Sequence, residues 1–94
     1  GKIIVFGDVN IGAELVATGD IVVIGTLRGR AHAGSAGNES SVVTAVMLSP
    51  QQLRIGARMA IAPEEDVVMK YPETARVVNG EIIVMPLNER LRQE

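Results

Sequence analysis

Apolar residues near the start of the chain occur in two short segments that repeat each other. Residues 3–9 read Ile-Ile-Val-Phe-Gly-Asp-Val and residues 21–27 read Ile-Val-Val-Ile-Gly-Thr-Leu, so the repeat distance is eighteen residues. Self-similarity at a fixed period is typical of stacked structural units. Strands usually have about five or six residues and glycine suits the corners between them, so eighteen residues make one circuit of three strands. The sequence therefore predicts an all-β fold, a short three-sided β-solenoid that displays flat faces.

Superposing the two coils at this period predicts which side chains form the core. Successive side chains of a strand point to opposite faces, and the odd-numbered positions of both coils are apolar. We expect these positions to point inward. They stack Ile3 on Ile21, Val5 on Val23, Val9 on Leu27, Ala13 on Ala31 and Leu15 on Ala33.

The even-numbered positions then point outward, and they form two different surfaces. On one side all of them are apolar: Ile4 and Phe6 stack with Val22 and Ile24. An outward apolar patch usually marks an interface, so we predict that these four residues hold two copies of the chain together. On the other side the positions are mainly polar, and Asn10, Gly12 and Glu14 stack with Arg28, Arg30 and His32.

The second half of the chain predicts further strands and a closing hairpin. Asn79-Gly80 lies between two apolar runs, and this dipeptide is the strongest short hairpin signal because both residues tolerate positive φ. The predicted elements are a turn at 34–41, a strand at 42–48 with the period longer by about two residues, a strand at 53–61, loops at 63–66 and 70–73, strands at 75–78 and 81–84, and a polar tail at 87–94.

Composition narrows the class of protein. The 94 residues suffice for one small domain, and 47% of them are apolar although Phe6 and Tyr71 are the only aromatic residues. Such a core suits narrow stacked layers of β-branched side chains.

The net charge of −2 argues against a general attraction to nucleic acid or anionic lipid. The apolar runs are too short to span a bilayer. The chain begins Gly1-Lys2, so we expect a fragment of a longer protein.

The densest polar cluster lies at residues 27–34, where arginines alternate with small residues. Arg28, Arg30 and His32 are expected to project from one strand surface and to dock carboxylates of a protein partner, since the guanidinium pairs with them bidentately. Arg54 and Arg58 would extend this strip if their strand lies alongside. The alternative is a solvated strand edge that its charges protect from aggregation.

Catalytic and cofactor chemistry have little support in the sequence. His32 is the only histidine and cysteine is absent, whereas a catalytic base needs a nucleophile and an orienting partner, and a metal usually needs three or four ligands. The glycines lack the lysine of a phosphate-binding loop and are better explained as corners. We therefore predict no catalytic residue, no metal and no cofactor.

Three segments together resemble a known family. Residues 7–15 read Gly-Asp-Val-Asn-Ile-Gly-Ala-Glu-Leu, residues 19–21 read Gly-Asp-Ile, and residues 25–34 read Gly-Thr-Leu-Arg-Gly-Arg-Ala-His-Ala-Gly. They are similar to the carboxy-terminal domain of MinC, the bacterial septum-site-determining protein. The likeness continues more weakly through residues 53–56 and 82–88, and so covers nearly the whole chain.

The resemblance implies a right-handed triangular β-helix that forms homodimers and binds MinD, a membrane-associated ATPase. It implies a cytoplasmic protein that MinD recruits to the inner face of the membrane, and a separate amino-terminal domain that antagonises the FtsZ ring. Arg30 and Gly12 match residues of the family's MinD-binding face. The family's segment that precedes the first coil and aids MinD binding, and its amino-terminal domain, are not in this sequence.

Two other functions are compatible with a solenoid. A hexapeptide-type acyltransferase would need regular apolar hexads and polar residues flanking a histidine at a subunit cleft, and the drifting period disfavours it. A self-polymerising scaffold would need open, complementary ends, whereas the Asn79-Gly80 hairpin and the polar tail are more typical of a cap.

Overall fold

The computed structural model describes residues 1–61 and 71–87. The predicted loop at 63–66, the first residue of the predicted loop at 70–73 and all but the first residue of the predicted tail at 87–94 lie outside the described residues. The regular elements of residues 1–61 and 71–86 are all β-strands, which confirms the predicted all-β class. They are β1 Ile3–Phe6, β2 Glu14–Val16, β3 Ile21–Leu27, β4 Arg30–Ala33, β5 Val43–Leu48, β6 Gln52–Ile55, β7 Arg58–Ile61, β8 Glu73–Val78 and β9 Glu81–Pro86.

The strands form two sheets, and the chain alternates between them. The long sheet has the order β1-β3-β5-β8-β9, and the short sheet has the order β2-β4-β6-β7. Within each sheet the first three strands are parallel. Parallel neighbours reached by alternating between sheets are the mark of stacked coils. At the end of β3, a parallel bridge joins Leu27 to Val9, which lies outside the strands. The right-handed, three-sided cross-section stays a prediction.

The eighteen-residue register is confirmed in the long sheet, where Ile3 pairs with Ile21, Val5 with Val23 and Phe6 with Ile24. The buried residues follow the predicted parity there, since Ile21 and Val23 are fully buried whereas Ile4 and Phe6 are exposed. At β1 and β3 the sheet therefore has an inner face in the core and an apolar outer face.

In the short sheet the predicted register is wrong by two residues. Leu15 pairs with Ala31 rather than with Ala33, and Glu14 rather than Gly12 pairs with Arg30. The cause is a corner of unequal length. From the bridged pair Val9 and Leu27, the first coil inserts residues 10–13 before its strand, whereas the second inserts only residues 28–29. Because the shift is an even number, the alternation of inward and outward side chains survives, but the predicted inward residue Ala13 is exposed in the longer corner.

The third coil is longer still. Ile21 pairs with Val43, a distance of twenty-two residues instead of the predicted twenty or so, because the turn at 34–40 is inserted. The register also shifts between Val23 and Thr26. At this bend a β-carbon on Gly25 would lie 2.3 Å from the carbonyl oxygen of Gly7. Only glycine allows the two coils to approach this closely.

Each sheet ends in an antiparallel hairpin. The predicted hairpin is confirmed: β8 and β9 pair across Asn79-Gly80, whose φ angles are 51° and 80°, the signs that a type I′ turn needs. The predicted single strand at 53–61 is wrong, because Gly56 takes a φ of 58° and the chain folds back as β6 and β7. These hairpins end the parallel stacking.

Glu73 gives the fold a testable pH dependence. This residue pairs with the buried Ala45, shares its face of the sheet and is only 8% exposed. Burial raises the pKa of the Glu73 carboxyl above its ordinary value, because desolvation disfavours the charged form. Protonated Glu73 therefore stabilises the folded chain at pH values below an ordinary glutamate pKa of about 4.3, and this contribution is lost as the pH rises through the raised pKa.

Replacing Glu73→Gln should therefore raise the thermal unfolding midpoint at pH 7, and the advantage over the wild-type chain should shrink as the pH approaches 4. Glu81→Gln, on the exposed edge of the same hairpin, is the matched control and should change the midpoint little at either pH. Thermal unfolding followed by circular dichroism checks this. An advantage for Glu73→Gln that grows toward acidic pH would contradict it.

Candidate functional site

The outer face of the short sheet carries two rows of side chains that run across its strands. Paired residues of adjacent strands point to the same face, so the measured register gives the rows directly. One row is Glu14, Arg30, Gln52 and Ile61, and the other is Val16, His32, Arg54 and Met59. We call these two rows the basic face. It combines exposed cations with apolar side chains, of which Ile61 is the most exposed at 72%.

A groove of about 440 Å³ is lined by three of the four residues of the first row, all but Glu14. We call it the Arg30 groove; its lining residues are Ile11, Gly12, Arg30, Gln51, Gln52 and Ile61. The prediction that Gly12 stacks directly on Arg30 is wrong, since Glu14 takes that place. The longer corner of the first coil nevertheless brings Gly12 to the same groove as Arg30. The exposed side chains of Ile11 and Ile61 add apolar walls to a site that contains a guanidinium.

Two further residues of the predicted docking strip lie beside the groove rather than in its lining. Arg28 is exposed in the corner between β3 and β4. His32 is in the second row, half-buried, and its Nε2 lies 3.0 Å from the carbonyl oxygen of Gly56. One ring nitrogen of His32 is thus engaged within the fold. A role for Arg28 and His32 in partner binding stays a prediction.

The structure separates the two arginines that were candidates for extending the strip. Arg54 pairs with His32 in the second row and is exposed, so it does extend the cationic part of the basic face. Arg58 pairs with the inward residue Ile55, and its Nε lies 3.1 Å from Oε2 of Glu39. Arg58 therefore belongs to a different surface, where a carboxylate already compensates its charge.

Gly29 explains the Arg-Gly-Arg sequence of residues 28–30. It is buried, and a β-carbon there would lie 2.4 Å from the carbonyl oxygen of Ala13 and 2.7 Å from that of Asn10. The Gly29 N–H donates to the Val9 carbonyl at 3.1 Å, and the Arg30 N–H donates to the Ala13 carbonyl at 2.9 Å. The glycine lets the corner of the first coil rest on the second, and this contact positions the backbone of Arg30.

On β1, β3 and the adjoining part of β5, the outer face of the long sheet is apolar and exposed. Phe6 is 83% exposed, and Ile4 and Ile24 are about half exposed, whereas Val22 is half-buried between them. Val46 on β5 extends this apolar face and was missed from the sequence. The next polar feature is Thr44, whose Oγ1 donates to Oγ1 of Thr74 at 2.9 Å. We call this surface the apolar face; its residues are Ile4, Phe6, Val22, Ile24 and Val46.

Within residues 1–61 and 71–87, no three histidine, aspartate or glutamate side chains come together in a way that would hold a metal ion. In the same part of the chain, no helix has the length and hydropathy that a membrane span requires.

The chain is similar to proteins of one family over nearly its whole length. The model of the family described as septum formation inhibitor MinC, C-terminal domain, matches residues 1–87. The probable septum site-determining protein MinC of Symbiobacterium thermophilum is 50% identical over 93 residues, which are 99% of this chain and 40% of that protein. Its counterpart in Clostridium acetobutylicum is 45% identical over 86 residues, which are 92% of this chain and 41% of that protein.

Among solved structures, a chain of the MinC:MinD cell division protein complex of Aquifex aeolicus superposes with a TM-score of 0.90. It is 42% identical in sequence, and the alignment covers 99% of this chain and 79% of that chain. The present chain spans about two fifths of the length of the curated relatives that it matches.

The close contact at Gly29 predicts a large effect of a small substitution. Gly29→Ala forces a methyl group against two carbonyl oxygens, so the free energy of unfolding should fall by about 1–3 kcal/mol, the usual cost of overpacking. Gly1→Ala is the control, because nothing lies within 4 Å of a β-carbon at that position, and it should leave stability within about 0.5 kcal/mol. Urea unfolding measures both, and equal stability of the two variants would refute the packing argument.

Proposed function

This chain belongs to the MinC C-terminal domain family, as its resemblance indicated, and we propose that it is a non-enzymatic module that forms homodimers and binds MinD. The observation that carries the proposal is that one small domain has two unlike outer faces. The apolar face lies on the long sheet, and the Arg30 groove lies on the short sheet. One surface suits self-association and the other suits a partner with carboxylates.

Dimer formation follows from the apolar face. Burying a Phe or Ile side chain contributes about 1.5–3 kcal/mol, and a two-fold axis through this face buries each of its residues twice. Phe6, Ile4 and Ile24 are the most exposed of its predicted members. Nothing polar interrupts the face between β1 and β3, since the outward pairs there are Ile4 with Val22 and Phe6 with Ile24.

Binding of MinD is assigned to the Arg30 groove and the adjoining basic face. The solved relative that superposes on this chain is part of a complex with MinD. A guanidinium presents five N–H donors in a plane and pairs bidentately with carboxylates, and the exposed Ile11 and Ile61 offer apolar contacts beside it. A two-fold dimer carries the groove twice, so a dimeric partner engages both copies with a gain in avidity. Arg28 and His32 are proposed to contribute at the edge of the site.

The wider role concerns the longer protein. Relatives are named as septum site-determining proteins, and this chain matches about two fifths of their length. We assign to this domain the targeting step, in which MinD brings the inhibitor from the cytoplasm to the inner face of the membrane. Antagonism of the FtsZ ring is assigned mainly to an amino-terminal domain. The membrane contact of this domain is thus indirect and requires no cofactor of its own.

Neither alternative function has an observation in its favour. An acyltransferase would use His32 as a base, but its Nε2 is already within hydrogen-bond distance of the Gly56 carbonyl. A self-polymerising scaffold would stack coils end to end, whereas β7 and β9 reverse direction at one end of the two sheets.

Neutralising Arg30 tests the docking assignment. Arg30→Gln removes the charge from the groove and should weaken binding to MinD at least tenfold, because a hydrogen bond to a charged group contributes roughly 1.5–3 kcal/mol. Arg58→Gln is the matched control, since Arg58 lies off the basic face, and it should bind as the wild-type chain does. Co-sedimentation with MinD-coated vesicles in the presence of ATP measures both. Equal recovery of the two variants would overturn the assignment.

Charged substitutions on the apolar face test the dimer. Phe6→Asp combined with Ile24→Asp buries two carboxylates in the proposed interface and should give folded monomers. Ile11→Asp combined with Ile61→Asp changes two comparably exposed residues on the other sheet and should remain dimeric. Sedimentation velocity with circular dichroism distinguishes the cases. A dimer that survives the first pair of substitutions, or is lost only with the second, would show that the interface lies elsewhere.

A further inference from the structure

A hydrogen bond links the first coil to the third at the edge of the Arg30 groove. The backbone N–H of Gly12 donates to Oε1 of Gln51 at 3.3 Å, although the two residues are 39 positions apart. Gly12 lies in the corner of the first coil, and Gln51 immediately precedes β6 of the third coil. Neighbouring coils are joined by backbone pairing, so a side chain that reaches the coil beyond its neighbour needs an explanation.

Gly29 supplies that explanation. The N–H of Gln51 donates to the Gly29 carbonyl at 2.9 Å, and the N–H of Gly29 donates to the Val9 carbonyl at 3.1 Å. Gly29 thus lies between the first and third coils at this corner. Its backbone joins the two coils directly, so the side chain of Gln51 spans a single coil to reach the N–H of Gly12.

The bond holds the segment that makes this corner different from the others. Residues 10–13 are the longer insertion of the first coil, closed by a hydrogen bond from the Ala13 N–H to the Asn10 carbonyl at 3.0 Å. Gly12 has a φ of 94°, and Ile11 beside it is 70% exposed. An exposed turn of this kind has few packing contacts that would fix its position. The Arg30 N–H bond to the Ala13 carbonyl anchors one end of this turn, and the Gln51 amide anchors it at Gly12, next to the Ile11 wall.

We propose that Gln51 is a positioning residue of the Arg30 groove, which ties the Gly12 turn to the third coil and so presets the groove for its partner. This inference rests on the proposed binding of MinD. A turn that is already ordered does not lose conformational freedom on binding, and preorganisation of this kind increases affinity. One neutral hydrogen bond corresponds to a factor of about five in an equilibrium constant, so an effect of that size is expected.

Two substitutions separate the acceptor from the bulk of the side chain. Gln51→Met keeps a similar length but removes the oxygen, and Gln51→Glu keeps an oxygen that accepts from Gly12. In the chain without a partner, amide hydrogen exchange at Gly12, followed by NMR, should be about fivefold faster in Gln51→Met. In Gln51→Glu it should be as slow as in the wild-type chain. Losing this one exposed hydrogen bond should lower the free energy of unfolding of Gln51→Met by no more than about 1 kcal/mol, and Gln51→Glu should unfold as the wild-type chain does.

Affinity for MinD, measured with ATP, completes the test. Gln51→Met should bind about fivefold more weakly, and combining it with Gly12→Ala should cost little more than Gly12→Ala alone, since both changes release the same turn. If the wild-type chain does not bind MinD, the proposed function fails. Amide exchange at Gly12 still tests whether Gln51 holds the turn in place. If the wild-type chain binds and Gln51→Met binds equally well, the positioning role is refuted. Weaker binding with unchanged exchange at Gly12 would also refute it, because Gln51 would then contact the partner directly.

Discussion

Backbone pairing between successive coils is the constraint on which the rest of this structure depends. The N–H of Ile3 donates to the Asp20 carbonyl at 2.9 Å, and the N–H of Ile21 donates to the Val42 carbonyl at 3.0 Å. No coil can bury its inner side chains alone, so each is stable only on its neighbour. The close approach needs glycine at Gly25 and Gly29, where a β-carbon would meet a backbone carbonyl. The outer faces are held in place by this stacking rather than by their own contacts.

The functional surface arises where the stacking is uneven. Two coils of equal length would place Gly12 directly on Arg30 and would leave a flat strand surface. The longer corner at residues 10–13 instead projects beyond the short sheet and forms one wall of the Arg30 groove. The antiparallel strand β7 brings Ile61 to the same groove. A regular repeat thus supplies the scaffold, and its irregularities supply the site.

The sequence predicts this structure well where the repeat is strong and poorly where the repeat weakens. Apolar residues repeat at the eighteen-residue period in β1 and β3, so the register of these two strands and the apolar face were predictable. The Asn79-Gly80 dipeptide marks the hairpin of β8 and β9. The two-residue shift in the short sheet was not predictable, because at the eighteen-residue period the apolar Ala13 matches Ala31 as well as Leu15 does. The turn at Gly56 was hidden, since the alternation of side chains continues across it. Val46 was missed because the repeat no longer holds at β5, and the contact of Gln51 with Gly12 has no signal in a single sequence.

The central claim is that the two outer faces have separate tasks, one for self-association and one for MinD. Hydrogen–deuterium exchange of this chain, alone and with MinD and ATP, tests it most directly. The account predicts new protection at residues 10–13, in β4 and at residues 51–52 when MinD is added, with no change in β1 and β3. New protection in β1 and β3, with none at residues 10–13 or in β4, would contradict it.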